Sequence, residues 1–137
     1  MKAWHFMLGL AVLVLVMVRL TVHLIGPSPQ ISPPPPRWQA ISRKLMHAAL
    51  YVFMLGMPVL GWLMLSAEAK PAPFFGLELP ALSSPDQGLA KQIEEVHETI
   101  GTLGYWLIGA HAAAGLLHHY VVHDDTLRRM LPRWRRA

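Results

Sequence analysis

His97, His111 and His118 stand fourteen and then seven residues apart in the apolar stretch HETIGTLGYWLIGAHAAAGLLH. A helix advances about 100° and about 1.5 Å per residue, so fourteen residues make close to four turns and roughly 21 Å. The His97 and His111 imidazoles therefore point the same way at two depths. Gly104 falls midway between them, with Gly101, Ala112 and Gly115 beside the stripe, so one helix face offers two ligands and room for something flat. Neutral imidazole is an axial ligand for haem iron, and ionisable residues inside a membrane mark functional sites by default. The spacing predicts a membrane cytochrome b with haems stacked along this helix. The competing reading is a set of histidines packed in a bundle and satisfied by hydrogen bonds; the repeated interval with glycine at its centre weighs against it.

Such a face needs other helices opposite it. Trp4 to Ile25 (WHFMLGLAVLVLVMVRLTVHLI) is a 22-residue apolar run, long enough at helical rise to cross a hydrocarbon core about 30 Å thick. It exceeds a signal-peptide core, contains Arg19 and His23, and is followed by no small-residue cleavage site. Within it Arg19 lies fourteen residues after His5, repeating the interval of the histidine helix. Arg19 reads either as a cation snorkelling to the interface or as the partner of a haem propionate. Gly26 to Ala40 (GPSPQISPPPPRWQA) reads as a stiff non-helical connector, because proline removes donors and restricts the residue before it. A second span is expected over Leu45 to Ser66, with Pro58 as a kink, Gly56 and Gly61 as close-packing points, and His47 near its start at the interface. Ala67 to Ala90 is a Pro-, Gly- and Ser-rich loop whose apolar pieces lie at the membrane surface. The third helix begins near Leu89 or Lys91 and spans from about Val96 to Val122. The expected fold is therefore an all-α membrane helical bundle of three transmembrane helices, one domain over residues 1–137, with spans at about 4–25, 45–66 and 96–122.

Composition agrees: 53% of residues are hydrophobic and 15% charged, as in a membrane protein. The absence of cysteine excludes disulfides, iron–sulfur clusters and covalent haem attachment, so haem b, one or two per chain, would be held non-covalently. The formal charge of +4 comes from the tail 123–137 and the connector before Leu45. That distribution is expected of the cytoplasmic flanks of membrane helices and argues against nucleic acid as a partner. It puts the C-terminus in the cytoplasm and the N-terminus outside. His5 and His97 then stand at the same outer depth, each near the outer end of its helix, and could share a haem. His111 lies deeper with no well-placed partner in the chain, since His23 is about one turn too deep.

From Trp4 to the C-terminus the chain resembles the bacterial cytochrome b561 family, related to the cytochrome b subunit of nickel–iron hydrogenases. The resemblance rests on HFMLGLAVLVLVMVRL, HAALYVFMLGMPVLGWLML, FFGLELP and above all VHETIGTLGYWLIGAHAAAGLLHHY followed by DDTLRRMLPR. It implies a four-helix fold with two b haems, the outer held between helices two and four and the inner between helices one and four. By that resemblance His5 and His97 hold the outer haem and His111 the inner. His47, His118 and His119 are then candidates for quinone binding or proton delivery. The chain matches from the family's second helix onward, so the first helix and its inner-haem histidine are expected upstream of Met1. The resemblance also implies a bacterial inner membrane location, ubiquinone as a redox partner, and superoxide, or another periplasmic or membrane redox protein, as the other.

The alternative is a non-redox membrane assembly subunit or a His-lined proton or metal path. A zinc hydrolase is disfavoured, because no H-E-x-x-H occurs. His119 and His123 have i,i+4 spacing but read as a solvated face at the end of a span.

Overall fold

The computed structural model describes residues 2–26 and 36–123. Among them three helices are long and apolar enough to cross a membrane: α1 (Lys2–Ile25), α2 (Arg37–Ala67) and α3 (Gln87–Leu117). The basic tail from residue 124 and the connector at 27–35 lie outside the described residues. Large apolar side chains are left open along all three helices, among them Ile25 at 81%, Tyr105 at 80% and Trp106 at 77% exposure. Contiguous apolar surface on that scale belongs against lipid rather than water. Among the described residues, the buried apolar side chains are Leu10 and Val16 along α1 and a group at one end, Leu65, Ala67, Ala72, Ala90 and Ile93, at the loop between α2 and α3.

Helix α2 begins earlier than its apolar run. Its N-cap is Pro36, at φ −59° and ψ 154°, and Arg37–Ala40 are already helical. This corrects the expectation of a non-helical connector as far as Ala40. Only the prolines forbid helix, and a proline at a helix start gives up a donor that would have no partner there anyway. The helix continues unbroken through Pro58. Helix α3 opens at Gln87 because the Asp86 carboxylate accepts a hydrogen bond from the Leu89 amide at 3.0 Å, satisfying one of the free donors of the first turn.

The loop holds a feature that the apolar pieces alone did not show. Strands β1 (Ala72–Phe74) and β2 (Leu77–Leu79) form an antiparallel hairpin with Phe74 opposite Leu77. Its turn residues, Phe75 at φ 48° and Gly76 at φ 90°, are both left-handed, the conformation that matches the twist of a two-residue hairpin. Strand β1 packs on α1 and α2. The Trp62 indole donates to the Pro80 carbonyl at 3.0 Å. The Ser66 hydroxyl donates to the Trp62 carbonyl and accepts from the Leu82 amide, each at 3.0 Å. The Asp86 amide reaches the Ala67 carbonyl at 2.9 Å. These bonds tie the loop across the end of the bundle near which His5 and His97 lie.

The helices do not pack equally. Helix α2 lies against both α1 and α3, whereas no Cα of α1 comes within 8 Å of one in α3 among the described residues. A slot therefore separates α1 from α3, with α2 as its back wall.

Candidate functional site

His5 on α1 and His97 on α3 face each other across that slot, with ring centroids 6.1 Å apart and planes at 75°. Two metal–imidazole bonds of about 2.0 Å, plus about 1.1 Å from each nitrogen to its ring centre, make about 6.2 Å, so this spacing suits two axial ligands to one metal. The rings approach each other from two helices whose Cα atoms all stay more than 8 Å apart among the described residues. His97 is half-buried, and its Nδ1 is buried with no hydrogen-bond partner among the described residues. An unmet polar atom in an apolar setting is costly unless something binds there. Gly61 of α2 lies beside that ring: a Cβ there would be 3.5 Å from His97 Cε1, an ordinary contact.

The deeper pair differs. His111 on α3 meets His47 on α2, with centroids 5.6 Å apart and planes at 72°. His47 is a neighbour of His111 that spacing along α3 alone does not name. Taking the second span to start at Leu45 made His47 an interfacial residue. The helix starts at Arg37, so His47 sits about 15 Å along it and is half-buried. Its Nδ1 lies 2.9 Å from the Arg43 carbonyl one turn earlier, a contact that requires the proton on Nδ1 and leaves Nε2 as an acceptor. Arg19 of α1 and Arg43 are within electrostatic reach of His47, so the α1 cation lies near the deeper pair, as the shared fourteen-residue interval implies.

Between the two depths, Gly104 does not leave the gap its spacing suggested. The Phe53 ring of α2 occupies it, and a Cβ on Gly104 would overlap that ring. Beside Phe53 an open groove of about 680 Å³ runs between α2 and α3, walled by Val52, Met57, Leu60, Leu103 and Leu107. None of the four paired histidines lines it.

The remaining histidines lie elsewhere. His23 is exposed in the last turn of α1. His118 and His119 open a π-helical turn, His118–Val122, an element frequent at functional sites. There the His119 ring lies 4.8 Å from the Tyr120 ring, and His119 Nδ1 is buried without a partner among the described residues. His123 is exposed and left-handed at φ 57°, its ring 3.0 Å from the Val121 carbonyl. It therefore leaves the helical face on which i,i+4 spacing could chelate. Among the described residues no cluster of three or more metal-ligating side chains occurs. Pairs of imidazoles from facing helices are what the bundle presents, and that donor set suits haem.

A family model described as prokaryotic cytochrome b561 matches residues 1–133. The chain belongs to the prokaryotic cytochrome b561 family. It is accordingly a bacterial, multi-pass membrane protein of the b-type cytochrome class, and the family implies b-type haem. This cytochrome b561 family member is 39% identical over 133 residues to cytochrome b561 homolog 1 of Escherichia coli K12, covering 97% of the chain and 76% of that relative. It is 36% identical over 135 residues to the probable superoxide oxidase CybB of Yersinia pestis, covering 98% and 77% respectively. A third relative, cytochrome b561 homolog 2 of E. coli K12, is 27% identical over 135 residues, with 93% and 68% covered.

Proposed function

We propose that the chain carries single electrons through non-covalent haem, with superoxide as donor on the outer side and ubiquinone as acceptor. The observation that carries this reading is the His5–His97 pair, with ring centroids 6.1 Å apart, from two helices with no Cα atoms within 8 Å of each other among the described residues. Bound there, b-type haem would supply a one-electron couple that ionisable side chains cannot. His5 and His97 would hold it from opposite helices, with the His97 ring beside Gly61 of α2. The stapled loop over that end limits access of water to the site. His111 is the ligand for a second, deeper haem on the same face, and Arg19 supplies a cation for a propionate at that depth.

The reaction balances when two superoxide anions each give up one electron to become dioxygen, and the two electrons with two protons convert ubiquinone to ubiquinol. Its superoxide half is suggested by the name of the Yersinia relative. The orientation that goes with it places the loop between α2 and α3 in the periplasm and the C-terminus in the cytoplasm, from the arginines of the tail.

The test is purification in detergent with haem, rapid mixing with superoxide, and measurement of haem reduction and of ubiquinol formed. Haem reduced by superoxide and reoxidised by ubiquinone is the expected result. Haem that cycles with neither would make the protein a haem subunit for another redox partner. A chain with no reducible b-type spectrum would return the reading to a non-redox assembly subunit.

A further inference from the structure

The two histidine pairs differ in how their helices pack. The outer pair joins α1 and α3, which have no Cα atoms within 8 Å of each other among the described residues; the deeper pair joins α2 and α3, which pack against each other. The ring spacing agrees: 5.6 Å is short of the about 6.2 Å that two axial ligands require. It is close to the about 5.2 Å of a straight imidazole N–H···N bond, taking about 3.0 Å between nitrogens and about 1.1 Å at each end. The Arg43 carbonyl holds the proton of His47 on Nδ1, so the nitrogen left to meet a neighbour is an acceptor.

We propose that His47 is a positioning residue for His111: its Nε2 accepts the Nδ1–H of His111, which fixes the His111 tautomer and turns His111 Nε2 toward iron on the side of the slot. The chain of bonds runs from His111 to His47 to the Arg43 carbonyl, so α2 sets the orientation and the basicity of a ligand carried by α3. A histidine that ligates a metal through one nitrogen ordinarily donates its other N–H to such an acceptor, and losing the acceptor typically costs about 10–100-fold in metal affinity or activity. This inference rests on the reading of His111 as an iron ligand. It assigns His47 to His111 rather than to iron or to quinone.

The test uses the full chain loaded with haem and separates the two readings. His111→Ala should remove the deeper haem from the reduced-minus-oxidised spectrum and leave the haem of His5 and His97; no change would overturn the iron reading of His111 and this inference with it. With His111 confirmed, His47→Leu should keep the haem content and make the deeper haem easier to reduce by about tenfold in its equilibrium, which is about 59 mV for one electron. The outer haem should not shift. His47→Gln keeps an acceptor oxygen and should return most of the change. Loss of the deeper haem in both variants would make His47 a ligand, and an unmoved potential in both would remove the hydrogen bond; either overturns the inference while His111 stays a ligand. In the unmodified protein, nitrogen-15 spectra of labelled histidine in the reduced state should show His47 protonated at Nδ1. Protonation at Nε2 would overturn the inference without reference to any variant.

Discussion

His97 and His123 are both histidines near an end of α3, yet one faces His5 across the slot and the other bonds to its own backbone at Val121. Chemistry follows the partner rather than the residue type. His5→Ala and His97→Ala should each abolish the low-spin bis-histidine signal in electron paramagnetic resonance, because either change leaves one axial ligand where two are needed. His123→Ala should leave that signal and the haem content as they are. Equal haem content in all three variants would show that the slot between α1 and α3 is not the binding site.

At the scale of elements, α2 and α3 are joined by a knob and a hollow: the Phe53 ring sits where Gly104 has no side chain. Gly104→Ala should push that ring out and destabilise the bundle by about 1–3 kcal/mol, read as a fall in thermal midpoint of the detergent-solubilised protein. Adding Phe53→Ala removes the overlap. The double variant should therefore lose less than the sum of the single losses, and strict additivity would mean that the two residues do not share the space. The loop offers a second case. Ser66→Ala removes the acceptor of the Leu82 amide, and a polar group left unmatched costs about 1–3 kcal/mol. Faster amide hydrogen exchange at Leu82, with the helices unaffected, is the expected signature; unchanged exchange would mean that the loop is held by the Trp62 and Asp86 bonds alone.

Across the whole molecule, orientation decides what the slot is exposed to. The last fifteen residues carry Arg128, Arg129, Arg133, Arg135 and Arg136, while the loop between α2 and α3 carries Glu68, Glu78 and Asp86. In the proposed orientation, with the basic flanks in the cytoplasm, the His5–His97 pair lies near the periplasmic face. A protease-cleavable tag after Ala137 should resist protease added to intact spheroplasts and be cut once the membrane is permeabilised. Cleavage in intact spheroplasts would invert the molecule and put the outer pair toward the cytoplasm, out of reach of periplasmic superoxide.

Periodicity and composition were enough to expect three helices long and apolar enough to cross a membrane, His97 and His111 on one face of the third, and His5 as a candidate partner for His97, since each depends only on local geometry and on the cost of leaving polar groups in lipid. Three other features depended on how the helices lie against one another. Where α2 starts is governed by the end of the proline run rather than by hydropathy, and it is the packing of α2 on α3 that sets His47 beside His111. The occupant of the Gly104 hollow is a side chain of a different helix, whose register no spacing within α3 can state. The contrast between the two histidine pairs, on which the proposed roles rest, arises from α2 packing on both α1 and α3 while α1 and α3 have no Cα atoms within 8 Å of each other among the described residues. Local spacing determines which way a side chain points along its own helix; only packing determines what it points at.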